Sequence, residues 1–195
     1  MSESASAWRG HSIEPPPAPS EGPLAVLVGT MGSGKSSIGR VLARLWNVGF
    51  HDTDDAVVAA TGKSIPELFS THGEAHFRDL ERRAVLEALR EQTGVVALGG
   101  GATTDEDTQF AMNAYRERGG TVVFLDVSFP YAVERIAKDG SRPMIAGDMR
   151  RRWVQLMEQR RPVLEAVSCL RVLTDACGPD DAAAEIVRRL RLAGR

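Results

Sequence analysis

Apolar residues follow two alternating patterns from Leu24 to the end of the chain. Short continuous apolar runs are typical of strands that are covered on both faces, and amphipathic stretches with helical spacing separate them. The predicted strands are Leu24–Val28, Val48–Phe50, Val95–Leu98, Thr121–Leu125 and Leu170–Leu173. This alternation predicts one three-layer α/β domain around a parallel sheet of five strands, with ligands bound at the carboxyl ends of the strands.

The amphipathic stretches predict the helices that connect these strands. They cover residues 74–90, 105–117 and 181–192 and a segment after Ser128. Ser64, followed by Pro66 and Glu67, is typical of a capped helix start. Thr104 or Asp105 is expected to cap the next helix.

Two segments depart from this pattern. Residues 1–22 are rich in Ser and Pro and lack an apolar stretch that could serve as a signal-peptide core. The run PPPAP favours extended, solvated chain, so we expect a disordered tail there and a single domain over residues 23–195. Residues 138–148, KDGSRPMIAGD, contain Gly, Pro and charge, and predict a mobile loop between two helices.

Composition excludes some classes of partner. The 195 residues carry a net charge of −2, which gives no global electrostatic reason to bind nucleic acid or an anionic membrane. No apolar run approaches the roughly 20 residues that span a bilayer. The two cysteines, Cys169 and Cys177, do not form a secreted-type framework, so we expect reduced thiols in the cytoplasm. A monomer is the expected state.

The segment Gly29–Ser36, GTMGSGKS, fits the phosphate-binding pattern G-x-x-x-x-G-K-[ST] between a predicted strand and a predicted helix. Its glycines let backbone N–H groups turn inward around phosphate oxygens, at the positive end of the helix. Lys35 can reach the β- and γ-phosphates, and the Ser36 hydroxyl can ligate Mg²⁺. A chance match in a glycine-containing turn is the alternative, which the flanking elements disfavour. The expected nucleotide contacts are Gly32, Ser33, Gly34, Lys35, Ser36 and Ser37.

Two aspartates follow the predicted second strand, in the sequence HDTDD. On an extended segment, Asp52 and Asp54 point the same way, toward the ligand edge of the sheet. They could divide between a metal ion and an acceptor hydroxyl. The alternative is that Asp54 or Asp55 caps a helix.

The third predicted strand runs into Gly99, Gly100 and Gly101. Three glycines cost backbone entropy, and at the end of a buried strand they are best explained by a ligand pressed against the main chain. Upstream, Arg78 and Glu81 are three residues apart on one helix face and could pair with each other.

Arginines are concentrated in residues 149–161. Arg160 and Arg161 stand just before Pro162, near a predicted helix end, where a guanidinium can be aimed at a ligand. The others are expected on a solvated helix face: Arg150, Arg151 and Arg152.

The fourth predicted strand, TVVFLD, ends in an acid as a Walker B strand does. Asp126 could therefore contact Mg²⁺. If its strand lies on the other side of the phosphate-loop strand from the triple glycine, Asp126 is expected instead to cap the helix after Ser128.

Taken together, these motifs resemble the shikimate kinase family from Leu24 to Thr174. The resemblance rests on GTMGSGKS, DTD at 52–54, GEAHFR at 73–78, LGGG at 98–101, SRPMIAG at 141–147 and RRP at 160–162. It implies the P-loop fold of nucleoside-monophosphate kinases with a mobile lid. It also implies ATP and Mg²⁺ as cofactors and transfer of a phosphoryl group to the shikimate 3-hydroxyl.

The resemblance also implies a role for each matching residue. Asp54 contacts the acceptor hydroxyl and serves as the base, and Asp52 holds Mg²⁺ through water. The shikimate carboxylate binds between Arg78 and Arg160, and Gly99, Gly100 and Gly101 offer backbone contacts. On the nucleotide side, Arg142 closes over the transferring phosphate and Arg135 packs on adenine. The catalytic set is Lys35, Asp54 and Arg142.

The chain departs from the family pattern at two places. Leu164 stands where the family usually has Tyr, and we expect that position to be structural. Some members carry arginine after the last strand, whereas this chain reads TDACGP at 174–179. Adenine contacts at Ala176 and Cys177 are therefore expected to be weaker or to use the main chain.

Three alternatives remain at this stage. A kinase for another small polyol acid such as gluconate shares the fold and the loop, but its pocket should lack the combination of DTD, FR and LGGG. A nucleotide-dependent switch would have no need for paired carboxylates, two pocket arginines and a lid arginine. An inactive relative is disfavoured because every expected catalytic position is filled.

Overall fold

A computed structural model of the chain describes residues 13–138 and 146–194. Its strands are β1 Ala25–Val28, β2 Phe50–Asp52, β3 Val95–Ala97, β4 Val122–Asp126 and β5 Leu170–Leu173. Its helices are α1 Lys35–Trp46, α2 Thr53–Thr61, α3 Ile65–Glu91, α4 Glu106–Glu117, α5 Phe129–Lys138, α6 Ala146–Val167 and α7 Pro179–Leu192, with a short 3₁₀ helix at Ala102–Thr104. Within these described residues, no helix is both long enough and apolar enough to cross a membrane.

The five strands form one parallel sheet in the order β2-β3-β1-β4-β5. Strand β1 is central, and Leu27 pairs with Ala97 on one side and with Val123 on the other. The chain therefore crosses from β1 to opposite halves of the sheet, and the crevice at such a switch point is where open α/β sheets bind ligands. The predicted parallel sheet of five strands is confirmed.

Alternate residues of β1 belong to two separate hydrophobic clusters. Ala25 and Leu27 pack with side chains of α1 and α7, whereas Val26 and Val28 pack with side chains of α3, α4 and α6. All four are fully buried. Helices therefore cover both faces of the sheet, which explains why its strands are continuous apolar runs and confirms the three-layer α/β arrangement.

Strand β2 begins two residues later than the sequence pattern predicts. The N–H of Val48 donates to the Ala43 carbonyl at the end of α1 (2.9 Å), so it is not free for the sheet. Pairing with β3 begins where Val95 donates to Gly49 O (2.9 Å) and ends where Asp52 lies opposite Ala97. The predicted range Val48–Phe50 was wrong because the C-terminal carbonyls of α1 use that segment.

The helix starts that the sequence predicts are present. Ser64 caps α3 in a capping box with Glu67, whose carboxylate accepts from the Ser64 N–H at 2.8 Å. Helix α3 continues into the predicted stretch 74–90 through a kink at Gly73, where φ is 83°. Asp105, rather than Thr104, caps α4.

Helix α6 does not end before Pro162 as the sequence suggested, but continues through it to Val167. A proline in a helix interior removes one backbone hydrogen bond. Buried side chains on both sides of Pro162, Met157 and Leu164, pack into the core and hold the helix together across it. Leu164 is 1% exposed, which confirms that this departure from the family pattern is structural.

The predicted loop over residues 138–148 is described only at its edges. Helix α5 ends at Lys138 and α6 begins at Ala146. Arg142 lies outside the described residues, and its role stays a prediction.

The described part of the expected tail packs on the domain. Ile13 is 7% exposed and joins the hydrophobic cluster that contains Leu45 and Trp46. Its N–H donates to the Leu45 carbonyl at 2.7 Å. Because Ile13 belongs to this cluster, the packed part of the chain begins at least ten residues before the expected boundary at residue 23. Residues 1–12 lie outside the described residues.

Ile13→Ala should destabilise the domain, because it removes buried methyl groups from a cluster that cannot fully collapse. We expect a loss of about 2 kcal/mol in the free energy of unfolding, or a fall of about 4–8 °C in melting temperature. Thermal unfolding followed by circular dichroism measures this. Glu14→Ala, one residue along at an exposed position, is the matched control. Equal melting temperatures for both variants would show that the segment does not contribute to the core.

Candidate active site

The phosphate loop joins the end of β1 to the start of α1. Gly34 precedes the helix with φ 90° and ψ 16°, a left-handed conformation that strains any residue with a Cβ. At Gly32, a Cβ would collide with the backbone of Ala132 at the start of α5. The loop is therefore closely packed from outside, and it opens at the N-terminus of α1, where backbone N–H groups and the helix dipole attract an anion.

Lys35 lies folded over this loop. Its Nζ donates to the carbonyls of Gly29 (2.9 Å) and Thr30 (3.2 Å). Burial lowers the pKa of Lys35, and the negative charges of Asp54 and Asp52 oppose that shift. The ammonium group is thus held at the loop by two neutral acceptors, which a phosphate oxygen can replace with a stronger, charge-assisted bond.

Ser36 and Asp52 meet beside the loop. The Ser36 hydroxyl donates to Asp52 Oδ2 at 2.6 Å. Asp52 Oδ1 accepts from the N–H of Asp54 at 3.0 Å, so Asp52 is the N-cap of α2. The alternative that Asp54 or Asp55 caps this helix was therefore wrong.

The oxygens of Ser36 and Asp52 are hard ligands that suit Mg²⁺. In the part of the chain that the structure describes, no group of three or more His, Cys, Asp or Glu side chains could hold a metal ion. Mg²⁺ commonly binds through one or two protein groups together with substrate phosphates and water, and the Ser36–Asp52 pair fits that mode.

Asp54 reaches the site from the first turn of α2, not from an extended strand. The predicted alternation with Asp52 was therefore wrong, although both side chains lie near Lys35. Thr53 fixes this turn, because its buried Oγ1 accepts from the N–H of Gly99 at 2.9 Å. A Cβ at Gly99 would collide with the carboxylates of Asp54 and Glu81, so both lie against the end of β3.

Arg78 lies over the same glycines. Its Nη1 donates to Glu81 Oε2 at 2.6 Å and its Nη2 to Glu74 Oε1 at 3.0 Å. A Cβ at Gly101 would collide with its guanidinium. Burial lowers the pKa of Arg78, but the bonds to Glu81 and Glu74 outweigh burial and raise it overall. The pairing of Arg78 with Glu81 that the sequence suggested is present, and it holds the guanidinium at the glycines.

Arg160 enters from α6 and donates from Nη1 to the Gly100 carbonyl at 2.9 Å. Burial, followed by the positive charge of Arg78, lowers the pKa of the Arg160 guanidinium. Arg78 and Arg160 therefore approach the same backbone segment, Gly99–Gly101 after β3 (the glycine strand end). Two half-buried guanidinium groups that repel each other across this segment form a site for an anion.

Arg135 lies beside the phosphate loop. It donates to Gly32 O at 3.3 Å, to both the hydroxyl (3.1 Å) and the carbonyl of Thr174, and to Cys177 O at 3.3 Å. It therefore ties the phosphate loop to the segment after β5, where Ala176 adopts a left-handed φ of 51°.

Most of these groups line one cavity of about 690 Å³, whereas Asp52 and Gly99 are not part of its lining. Its lining includes Lys35, Ser36, Asp54, Arg78, Gly100, Gly101, Arg135, Arg160 and Cys177. Ser37 also reaches it, whereas the side chain of Ser33 is buried beneath the loop. The cavity is long enough to include both the phosphate loop and the glycine strand end.

Sequence reasoning missed two kinds of residue in this site. Thr53 was hidden inside the DTD motif, because only the fold brings its hydroxyl to Gly99. Three apolar side chains of α3 also line the cavity: Ile65, Phe69 and Phe77. Their helical spacing was the available signal, but it indicated only a packed helix face.

Asp126 takes neither of its expected roles. Its side chain is 3% exposed and accepts from Arg161 and Arg171. The N–H of Ser128, where a cap was expected, instead donates to Asp175 Oδ1 at 2.8 Å. Strand β4 does lie on the opposite side of β1 from β3, as the alternative supposed. The carboxylate oxygens of Asp126, which could have bound a metal ion, accept hydrogen bonds from the two arginines instead.

Known proteins resemble this chain over nearly its whole described length. The sequence model of the shikimate kinase family matches residues 31–191. A shikimate kinase from Salinispora tropica is 46% identical over 168 residues, covering 86% of this chain and 98% of that protein. A structure of shikimate kinase from Acinetobacter baumannii in complex with shikimate superposes with a TM-score of 0.78 at 27% identity, covering 98% of this chain and 99% of the other.

A gluconokinase from Sinorhizobium meliloti superposes less well, with a TM-score of 0.54 at 19% identity over 93% of this chain and 96% of its own. That likeness shows a shared fold alone. Three observations support one family assignment: the phosphate loop, the glycine strand end with its two arginines, and the similarity of sequence over most of the chain. This chain belongs to the shikimate kinase family, whose members use ATP with Mg²⁺.

Proposed function

We propose that this chain transfers the γ-phosphate of ATP to the 3-hydroxyl of shikimate, giving shikimate 3-phosphate and ADP in aromatic amino-acid biosynthesis. The observation that carries the proposal is the approach of Arg78 and Arg160 to one glycine strand end beside Asp54, in the same cavity as the phosphate loop. Shikimate has a carboxylate for the arginines and ring hydroxyls for the aspartate and the main chain.

The carboxylate of the acceptor binds between the two guanidinium groups. Glu81 is 4% exposed and stays with Arg78, whereas Glu74 is 66% exposed. An exposed ion pair contributes little, so the substrate carboxylate displaces Glu74 at small cost. The negative charge that arrives also relieves the repulsion between Arg78 and Arg160.

The reacting hydroxyl lies at Asp54. With the carboxylate held at one end of the ring and Gly99–Gly101 close to its face, the hydroxyl is aimed at the phosphate loop. Asp54 accepts the proton as the oxygen attacks phosphorus. Lys35 leaves its two carbonyl acceptors and follows the charge that moves to the bridging oxygen.

Ser36 and Asp52 would hold the metal ion between them. When bound, Mg²⁺ neutralises charge on the transferring phosphates. Asp52 already accepts from Ser36 and from the α2 backbone, so its carboxylate is oriented before any ligand arrives.

Two arginines complete the nucleotide side. Arg135, anchored to Thr174 and Cys177, presents its guanidinium to the adenine, and the remaining base contacts come from the main chain at Ala176 and Cys177. Arg142 is assigned by the resemblance alone as the group that closes over the γ-phosphate.

The proposal includes a monomer in the cytoplasm. The proposed acceptor, loop and adenine groups that the structure describes all come from one chain. Both cysteines are free thiols, which agrees with a reducing compartment. Sedimentation equilibrium measures the oligomeric state.

The function is tested by coupled ADP release with shikimate, with gluconate and with no acceptor. We expect ADP release that depends on shikimate and stays at the background rate with gluconate, because the paired arginines and Asp54 match a carboxylate and hydroxyl on a rigid ring. Equal rates with and without shikimate would contradict the proposed function. A rate with gluconate that matches the shikimate rate would favour the broader class of polyol-acid kinases.

Asp54→Asn keeps the shape of the side chain and removes the base. Since general-base contributions are typically about 10²–10⁴-fold, we expect kcat to fall by that factor while the affinity for ATP changes little. Steady-state kinetics at saturating shikimate measures kcat, and calorimetry measures ATP binding. Unchanged kcat together with a lower melting temperature would reduce Asp54 to a structural residue of α2.

Asp52→Asn should behave differently, because a metal ion tolerates a weaker outer ligand better than a reaction tolerates the loss of its base. We expect a higher Mg²⁺ requirement and partial recovery of kcat at excess Mg²⁺. A Mg²⁺ titration of both variants separates the two roles. If the Asp54 variant is the one that recovers, the assignments of the two aspartates are exchanged.

A further inference from the structure

Two neighbouring arginines of α6 point to different parts of the molecule. Arg160 donates to the Gly100 carbonyl at 2.9 Å and lines the cavity. Arg161 lies outside the cavity lining and donates to the carboxylate of Asp126 at the end of β4, with distances of 3.0 Å from Nη1 and 2.9 Å from Nη2. Arg160 therefore reaches the proposed substrate site, whereas Arg161 binds the end of a strand of the sheet.

The Asp126 carboxylate is the centre of a charged network. Arg171, from β5, also donates to it, at 3.0 Å from Nε and 2.6 Å from Nη2. Glu165 lies 3.5 Å from both arginines. Two positive and two negative groups thus balance, with Asp126 itself only 3% exposed.

An ion network around one buried carboxylate is weak evidence for stability, because desolvation of Asp126 and the exposure of its partners offset much of their attraction. The network instead restricts the direction in which each of its arginine side chains can point. A guanidinium that meets a carboxylate with two parallel bonds accepts only a narrow range of positions, unlike an apolar contact that can slide.

The helix needs such a restraint at this point. Pro162 follows directly and lacks an N–H, so the backbone of α6 has one hydrogen bond fewer beside Arg160 and Arg161. Consecutive residues of a helix point about 100° apart. Fixing the direction of Arg161 therefore fixes the rotation of the helix and, with it, the direction of Arg160.

We propose that the Arg161–Asp126 pair positions Arg160 for the acceptor carboxylate, so that Arg161 determines shikimate affinity from outside the cavity. This inference rests on the proposed function, because it assumes that Arg160 binds the acceptor. It also gives the acid at the end of β4 a role: it orients the substrate-binding helix.

Arg171 provides the matched control. It donates to the same carboxylate but belongs to β5, and its contact with α6 is a 3.5 Å pair with the half-exposed Glu165. Its loss therefore removes a partner of Asp126 while the Arg161–Asp126 bonds still hold α6. Arg161→Met and Arg171→Met both leave Asp126 short of one guanidinium. A purely structural network predicts similar effects for the two variants, whereas a positioning role predicts that only the Arg161 variant loses acceptor affinity.

The experiment measures KM for shikimate and for ATP, kcat, and the Kd of shikimate by calorimetry, for wild type and both variants. A misplacement of about 1 Å can cost as much as 10²-fold, so we expect Arg161→Met to raise KM and Kd for shikimate by about tenfold. KM for ATP should stay within about twofold of the wild-type value. A tenfold change corresponds to about 1.4 kcal/mol, so a twofold change is small in free energy. Arg171→Met should lower the melting temperature and leave the shikimate constants at their wild-type values.

Arg161→Lys extends the test and replaces Arg161→Met if that variant does not fold. Lysine keeps the charge but cannot make two parallel bonds. A shikimate Kd above the wild-type value in this variant supports the proposal, and a wild-type Kd overturns it.

The other outcomes separate the two proposals. If wild type binds shikimate and Arg161→Met binds it equally well, the positioning role is wrong and the proposed function stands. Equal losses of affinity in Arg161→Met and Arg171→Met also overturn the positioning role. If wild type does not bind shikimate, the proposed function fails and the role of Arg161 fails with it.

Discussion

The proposed acceptor end of this site depends on the absence of side chains at Gly99 and Gly101. Carboxylates of Asp54 and Glu81 occupy the space that a Cβ at Gly99 would fill, and the Arg78 guanidinium occupies that of Gly101. Charged groups can approach a strand end this closely only if its backbone is bare. Substitution at either glycine would push these groups apart, so the glycine backbone that follows β3 sets the dimensions of the proposed acceptor pocket.

Folding and binding roles are combined in the same residues rather than divided between them. Asp52 caps α2 and also accepts from Ser36, and Thr53 begins α2 and also holds the N–H of Gly99. The cap that Asp52 forms and its predicted role at the metal are therefore compatible. Because such a residue is fixed by local structure, its carboxylate is oriented without a ligand, which reduces the reorganisation that catalysis would otherwise need.

The sheet order distributes acidic groups to the two sides of β1. On the β3 side, Asp52 pairs with Ser36 and Asp54 lines the cavity, and on the β4 side, Asp126 is enclosed by Arg161 and Arg171. Both sides bear on the same helix, since α6 brings Arg160 to Gly100 and Arg161 to Asp126. The acceptor pocket is thus framed by one strand end and by a helix tied to another.

The sequence by itself determined the features that depend on local order. Apolar runs predicted a parallel sheet of five strands and the positions of four of them, and the phosphate loop followed from GTMGSGKS because its glycines act on their own backbone. The series of motifs identified the family and gathered the candidate site residues. The helix cap at Ser64 was also readable, and that of α4 was narrowed to Thr104 or Asp105, since a cap involves residues only three positions apart.

Only the tertiary structure decided the rest. The start of β2, the passage of α6 through Pro162 and the place of Ile13 in the core each depend on a partner distant in sequence or on packing from both sides. Asp126 shows the reason most clearly, because its two arginines are 35 and 45 residues away. A local pattern records what a residue can bond to, whereas the fold decides which of those partners is within reach.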